Sequence, residues 1–204
     1  MGKAYFKPWR GTHYDDTKIL ILSESAYSWR GADGSIGNPS PSHPKKSILW
    51  FISRFPRRGY FTRMNRALCG IKYPSAEQMR RAWEDYAYTV YVQRTVGEGA
   101  RTRPSPTQWE EASDHFLKLI EEIRPIKVIV TGHDMWNHHM PNTSVQRNDF
   151  LQAYELSDGT LVWCMALPHP SNSRVGFKWE EIGEQIRRFR AMKLPLRKQQ
   201  SSRN

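Results

Sequence analysis

The feature that most constrains this chain is a set of three unbroken apolar runs: Lys18-Ile19-Leu20-Ile21-Leu22, Lys127-Val128-Ile129-Val130-Thr131 and Leu161 to Leu167. None alternates with polar residues, so each predicts a strand buried on both faces. Such a strand needs a layer of helix above and below it. A fourth segment, Tyr86 to Val92, is dense in aromatic and β-branched residues and predicts another strand.

Helical patterns lie between these runs. Ile48, Leu49, Phe51, Ile52 and Phe55 space as one helix face, stopped by Pro56. Ser75-Ala76-Glu77-Gln78 has the form of a capping box and opens a helix with Met79, Ala82, Trp83 and Tyr86 inward. Thr107-Gln108-Trp109-Glu110 caps a longer helix, in which Trp109, Ala112, Phe116, Leu119, Ile120 and Ile123 recur three and four apart until Pro125. His133 to His139 fits a short helix, and Trp179 to Met192 a last one, with Trp179, Ile182, Ile186 and Phe189 inward. Ser23 to Pro44 and Val96 to Pro106 read as loops. Strands alternating with helices predict an α/β fold: a three-layer α/β/α sandwich with a largely parallel four-stranded central sheet. At 204 residues the expectation is one domain over 1–194 and a basic, disordered tail over 195–204.

Charge narrows the function. The chain holds 31 Lys+Arg against 20 Asp+Glu, a formal +11, and the excess is not spread evenly. Gly34 to Ala76 contains no acid, but does contain Lys45, Lys46, Arg54, Arg57, Arg58, Arg63, Arg66 and Lys72. Beyond Glu184 the chain is again free of acids. Aromatic residues lie among these charges, and the combination points to a polyanion, nucleic acid above all. No run approaches the roughly 18 apolar residues of a membrane span. Met1 to Arg10 shows no signal-peptide core. Two cysteines, Cys69 and Cys164, exclude a disulfide scaffold and a four-cysteine metal centre. The expectation is a cytoplasmic monomer that binds DNA and no membrane.

In parallel sheets the working groups sit at the carboxyl ends of the strands. Three predicted ends are chemically loaded: Ser23-Glu24-Ser25-Ala26-Tyr27, Gly132-His133-Asp134 and His169-Pro170-Ser171-Asn172. No P-loop, dinucleotide fingerprint or nucleophile elbow is present. His138 and His139 are adjacent, so they do not share a helix face, and no carboxylate-plus-His spacing supports a zinc site. No cofactor is expected.

A polar group after the first buried strand and a His-Pro-Ser after the last resemble the uracil-DNA glycosylase superfamily. That family's first motif reads G-Q-D-P-Y-H or G-E-A-P-G, matched here by Ser23-Glu24-Ser25-Ala26-Tyr27-Ser28. Its last motif, H-P-S and a DNA-penetrating loop, is matched by His169-Pro170-Ser171-Asn172-Ser173-Arg174-Val175. The resemblance implies hydrolysis of an N-glycosidic bond to a flipped-out pyrimidine, leaving an abasic site. It implies His169 as the donor to the base, and Glu24 or Ser25 as the catalytic position facing the sugar. Tyr27, Trp29, Val90 and Asn172 would line the base pocket. Gly132, His133, Ser171, Ser173 and Lys178 would hold phosphates, and Arg174 or Val175 would fill the gap in the stack.

Two departures from the family bear on the substrate. Ser25 stands where the first form of the motif has Asp. The middle strand offers Thr89 or Val90 where the family reads uracil with Asn, and Asn65 is a distant stand-in. Missing hydrogen bonds relax such discrimination. The resemblance therefore admits a modified cytosine, such as a hydroxymethylated or glucosylated viral base, in a repair or antiviral role. An inactive DNA-binding module of the same fold, a hydrolase of another class and a purely structural protein are the other readings of these residues.

Overall fold

The computed structural model describes residues 6–30, 36–37, 40–54, 59–98, 102–143, 145–171 and 177–197. In chain order the elements are β1 (Trp9–Arg10), α1 (Tyr14–Thr17), β2 (Ile19–Ser23), β3 (Ala26–Arg30), β4 (Ile36–Gly37), α2 (His43–Arg54), α3 (Gly59–Cys69), α4 (Ala76–Glu84) and β5 (Tyr86–Val90). Then follow β6 (Thr95–Glu98), α5 (Pro106–Ile123), β7 (Lys127–Thr131), α6 (His133–His139), β8 (Val145–Asn148), β9 (Leu151–Glu155), β10 (Leu161–Leu167) and α7 (Trp179–Ala191). Among the described residues no helix is long and apolar enough to cross a membrane.

The main sheet has seven strands in the order β1-β5-β2-β7-β10-β9-β8. The expected four strands are its centre: β5, β2, β7 and β10 run parallel to one another. The count of four is corrected by three edge strands, β1, β9 and β8, all antiparallel to their neighbours. These edges carry no long apolar run. β1 is two residues long, and β8 reads Val-Gln-Arg-Asn.

Alternation within the central strands separates two cores. Leu20, Leu22, Val128, Val130, Val162 and Cys164 face α5 and α6. Ile19, Ile21, Ile129, Leu161 and Trp163 face α2, α3, α4 and α7. Leu20, Ile21 and Leu22 are wholly buried. Each such side chain contributes on the order of 1.5–3 kcal/mol relative to exposure, which is why this register holds. Helices on both faces give three layers.

Local chemistry places the elements. Ser75 caps α4 with its hydroxyl, and Gln78 reaches back to the Ser75 N–H. The cap of the longer helix lies two residues before the expected Thr107. Ser105 is its N-cap and pairs with Gln108, and Pro106 fills the first turn, where a missing N–H costs nothing. Tyr86 opens β5 instead of closing α4, because Asp85 ends that helix. Leu49 is 48% exposed, so the buried face of α2 is Ile48, Phe51 and Ile52; Phe55 and Pro56 lie outside the described residues.

The segment Ser23 to Pro44 is not one loop. β3 pairs in parallel with β6 and antiparallel with β4, making a second, three-stranded sheet. β6 also takes the start of the expected Val96–Pro106 loop. Near the C-terminus the Leu161 N–H donates to the Leu196 carbonyl, and the Trp163 indole to the Pro195 carbonyl. The chain thus stays on the sheet through Arg197; residues 198–204 lie outside the described set.

Candidate active site

Strand order reverses at β2: β5 lies on one side of it and β7 on the other. Such a switch point opens a crevice at the carboxyl end of the strand. Glu24 is the residue there. The continuation of β5 ties the tip in place, with the Tyr91 N–H donating to the Ser23 carbonyl at 2.7 Å and the Val92 N–H to the Glu24 carbonyl at 2.9 Å.

The Glu24 side chain is 8% exposed and is covered by Arg103, which arrives from the segment between β6 and α5. One guanidinium nitrogen, Nη1, donates to both carboxylate oxygens, at 2.9 and 2.8 Å. The other, Nη2, donates to Asp134 on α6. Burial pushes the Glu24 carboxyl above its ordinary range; the Arg103 charge and hydrogen bonds oppose this, and the Asp134 charge adds to it.

His169 follows β10, on the far side of β7 from Glu24. The Ser171 N–H donates to its Nδ1 at 3.2 Å. In the neutral ring the proton therefore sits on Nε2, which makes Nε2 a donor. Burial first, and the Arg103 charge second, lower the pKa of this histidine to about 4. It is neutral at physiological pH.

Several residues shape the space around it. The Tyr60 ring from α3 lies 5.6 Å from the His169 ring. Its hydroxyl meets the Thr131 hydroxyl at 3.1 Å, and Thr131 in turn donates to the Leu22 carbonyl. Arg63, one turn further along α3, donates to the Pro170 carbonyl at 2.6 Å and fixes the turn. Gly132 has φ of +143°, a conformation that favours glycine, and a Cβ there would stand 3.8 Å from His169 Cδ2. Its N–H donates to the Leu167 carbonyl, joining the ends of β7 and β10.

The other sequence-predicted residues fall as follows. Ser25 is half-buried beside Glu24. Tyr27 is 38% exposed on β3. Val90 is buried with Phe6 and Ala26 in a small core of its own. Thr89 is fully buried, with a hydroxyl that has no partner among the described residues. Asn65 is consumed by the fold: its carbonyl accepts from the Trp83 indole at 2.7 Å, and its amide points at the Met79 sulfur. His133 is half-buried against Phe150. Ser171 is exposed, with its Oγ 3.8 Å from a Cβ built at Gly59, and Lys178 is exposed and paired with Glu181. The Trp29 side chain and all of Asn172, Ser173, Arg174 and Val175 lie outside the described residues.

Arg103, Tyr60, Arg63 and Thr131 carry no motif and come from scattered places in the chain. Asp134 was legible, because it directly follows the Gly132-His133 turn. Beside Arg103, Pro104, Pro106, Trp109, Glu110 and His139 line a cleft of about 400 Å³, in which the Trp109 and His139 rings stack 3.8 Å apart. No protein-family model matches this chain, and no curated protein matches it.

Proposed function

We propose that this protein is a cytoplasmic, monomeric DNA glycosylase that removes a flipped-out pyrimidine and leaves an abasic site. One observation carries the reading: a neutral histidine with its proton on Nε2 and a buried carboxylate stand at the carboxyl ends of two parallel strands, β10 and β2, on either side of β7, both under the charge of one arginine. Cleavage of the bond between the base and C1′ builds negative charge on the base and positive charge on the sugar. The His169 Nε2–H donates to the base oxygen as that charge develops. Glu24 faces the sugar, where a carboxylate stabilises the cation and orients the attacking water. Water supplies hydroxide to C1′ and a proton to the departing base, so the products are a free base and an abasic sugar.

The choice of base follows from what is absent. The positions matching the family's uracil-reading Asn hold a core valine and a buried threonine, and Asn65 is engaged elsewhere. This favours a modified cytosine over uracil. The acid-free stretches grip phosphates around the site.

The test is a panel of duplexes bearing uracil, hydroxymethylcytosine or glucosylated cytosine, followed by alkali. Strand breaks are expected for at least one base, reduced about 10²–10⁴-fold by Glu24→Gln and by His169→Ala. Folded wild-type protein that breaks no strand in the panel would sink the enzyme reading. One observation favours a second reading: Ser25 stands in place of the family Asp, and Glu24 is already neutralised by Arg103. In an inactive DNA-binding module both variants bind DNA as wild type does.

A further inference from the structure

Arg103 belongs to no sequence motif, yet it bonds both Glu24 and Asp134. Its backbone is set in advance. Pro104 follows it, Ser105 caps α5, and Pro106 begins that helix, so little freedom is lost in holding the guanidinium where it stands. Trp109, one turn into α5, supports the guanidinium from 5.7 Å, and His139 stacks on Trp109 with the two planes 3° apart. From this base Arg103 reaches the buried Glu24 on one side and Asp134, which is 55% exposed, on the other.

We infer that Arg103 is the positioning residue of this site, a single fixed cation, bound through Nη1 to both oxygens of Glu24, that keeps Glu24 a carboxylate while burial leaves His169 an uncharged donor.

The two requirements pull apart because both groups are buried. Burial alone drives a carboxyl to take up a proton and an imidazole to lose one. For His169 burial already gives the useful form. For Glu24 it gives the useless one, and only a nearby cation opposes it. A cation placed against Glu24 also repels a proton from His169, so one charge serves both groups. The groups that face this cation are Glu24, directly after β2, and Asp134 from α6, with His139 of the same helix within its field; His138 is held by Asp134 at 3.2 Å. His169 is faced by Arg103 and, from α3, by the Tyr60 ring. The functional meaning of the pair rests on the glycosylase reading; the coupling itself does not.

The experiment is NMR titration of His169 and Glu24 in the full chain, beside the pH profile of abasic-site formation. In Arg103→Gln the His169 midpoint moves up from about 4 part of the way to 6.5, and the Glu24 midpoint also moves up. The acid limb of the rate moves to higher pH with them. Arg103→Lys keeps the charge and returns both midpoints towards wild type, although not the fork geometry. A role confined to tethering the loop lowers stability in both variants and moves neither midpoint, and that result overturns the inference. Asp134→Asn, at an exposed position, serves if Arg103→Gln does not fold. Removing the competing acid must lower the Glu24 midpoint, and a rise or no change overturns the inference. Shifted midpoints with no abasic sites in wild type would leave the coupling and remove the glycosylase. Abasic sites with unmoved midpoints would do the reverse.

Discussion

Asn65 sits at 2% exposure and spends its side-chain amide on Trp83 and Met79. Asn65→Ala leaves the buried Trp83 indole N–H without its acceptor, which costs about 1–3 kcal/mol. Chemical denaturation should show that loss, and under the proposed glycosylase function the choice of excised base should not change. A changed base preference would mean that Asn65 reads the substrate after all. Tyr60→Phe is a milder probe, removing only the hydroxyl that meets Thr131. At this scale the sequence is informative where chemistry follows directly on a strand. Glu24 comes right after an apolar run, and His169 only one proline beyond another, so both were legible. Arg103 and Tyr60 reach the same place from distant segments, and nothing local marks them. Asn65 shows the opposite case, an amide whose type suggested recognition and whose burial assigns it to packing.

Helices α3 and α7 cross closely enough that a Cβ at Gly183 would stand 2.6 Å from the Ala67 carbonyl. Backbone cannot yield as a flexible side chain does. Gly183→Ala is expected to cost about 1–3 kcal/mol by forcing the helices apart. It should also lower activity more than that loss explains, because α3 carries Tyr60 and Arg63 to the site. Equal activity per folded molecule would separate the crossing from the site. Ser105→Ala removes the cap of α5 and about 1 kcal/mol, readable as a lower melting temperature. The central strands, α4 and α5 were legible because their periodicity and caps are local signals. The β8–β9 hairpin and the small second sheet were not. Their strands are short and mixed in polarity, and they owe their existence to neighbours already in place.

The whole molecule should lose stability in mild acid. His115 and His169 are each held at about 4 in the folded chain, first by burial, against 6.5 when exposed. Between those values the unfolded chain binds more protons than the folded one. The stabilisation is complete above 6.5 and is lost as pH falls to 4, on the order of 2–3 kcal/mol for each residue. Glu24 works the other way: its folded carboxyl titrates above the unfolded one, so its contribution is present at low pH and lost as pH rises through the folded value. Denaturant unfolding of wild type and of His115→Gln at pH 7 and pH 4.5 should show a smaller drop in the variant. An equal drop would mean that His115 is not the group being protonated.

The two-sided layering has one more consequence. On one side of the sheet, α2 and α3 contain Lys45, Lys46, Arg54, Arg63 and Arg66 and no acid. On the other, α5 contains Glu110, Glu111, Asp114, Glu121 and Glu122 against Lys118 alone. The apolar sheet keeps the two apart as an insulator separates the plates of a capacitor. A distant polyanion therefore exerts a torque, and the molecule turns its α2–α3 side forward before any surface touches. For the DNA partner proposed above, added salt is expected to erase that guidance first, slowing association at concentrations that leave close contacts in place.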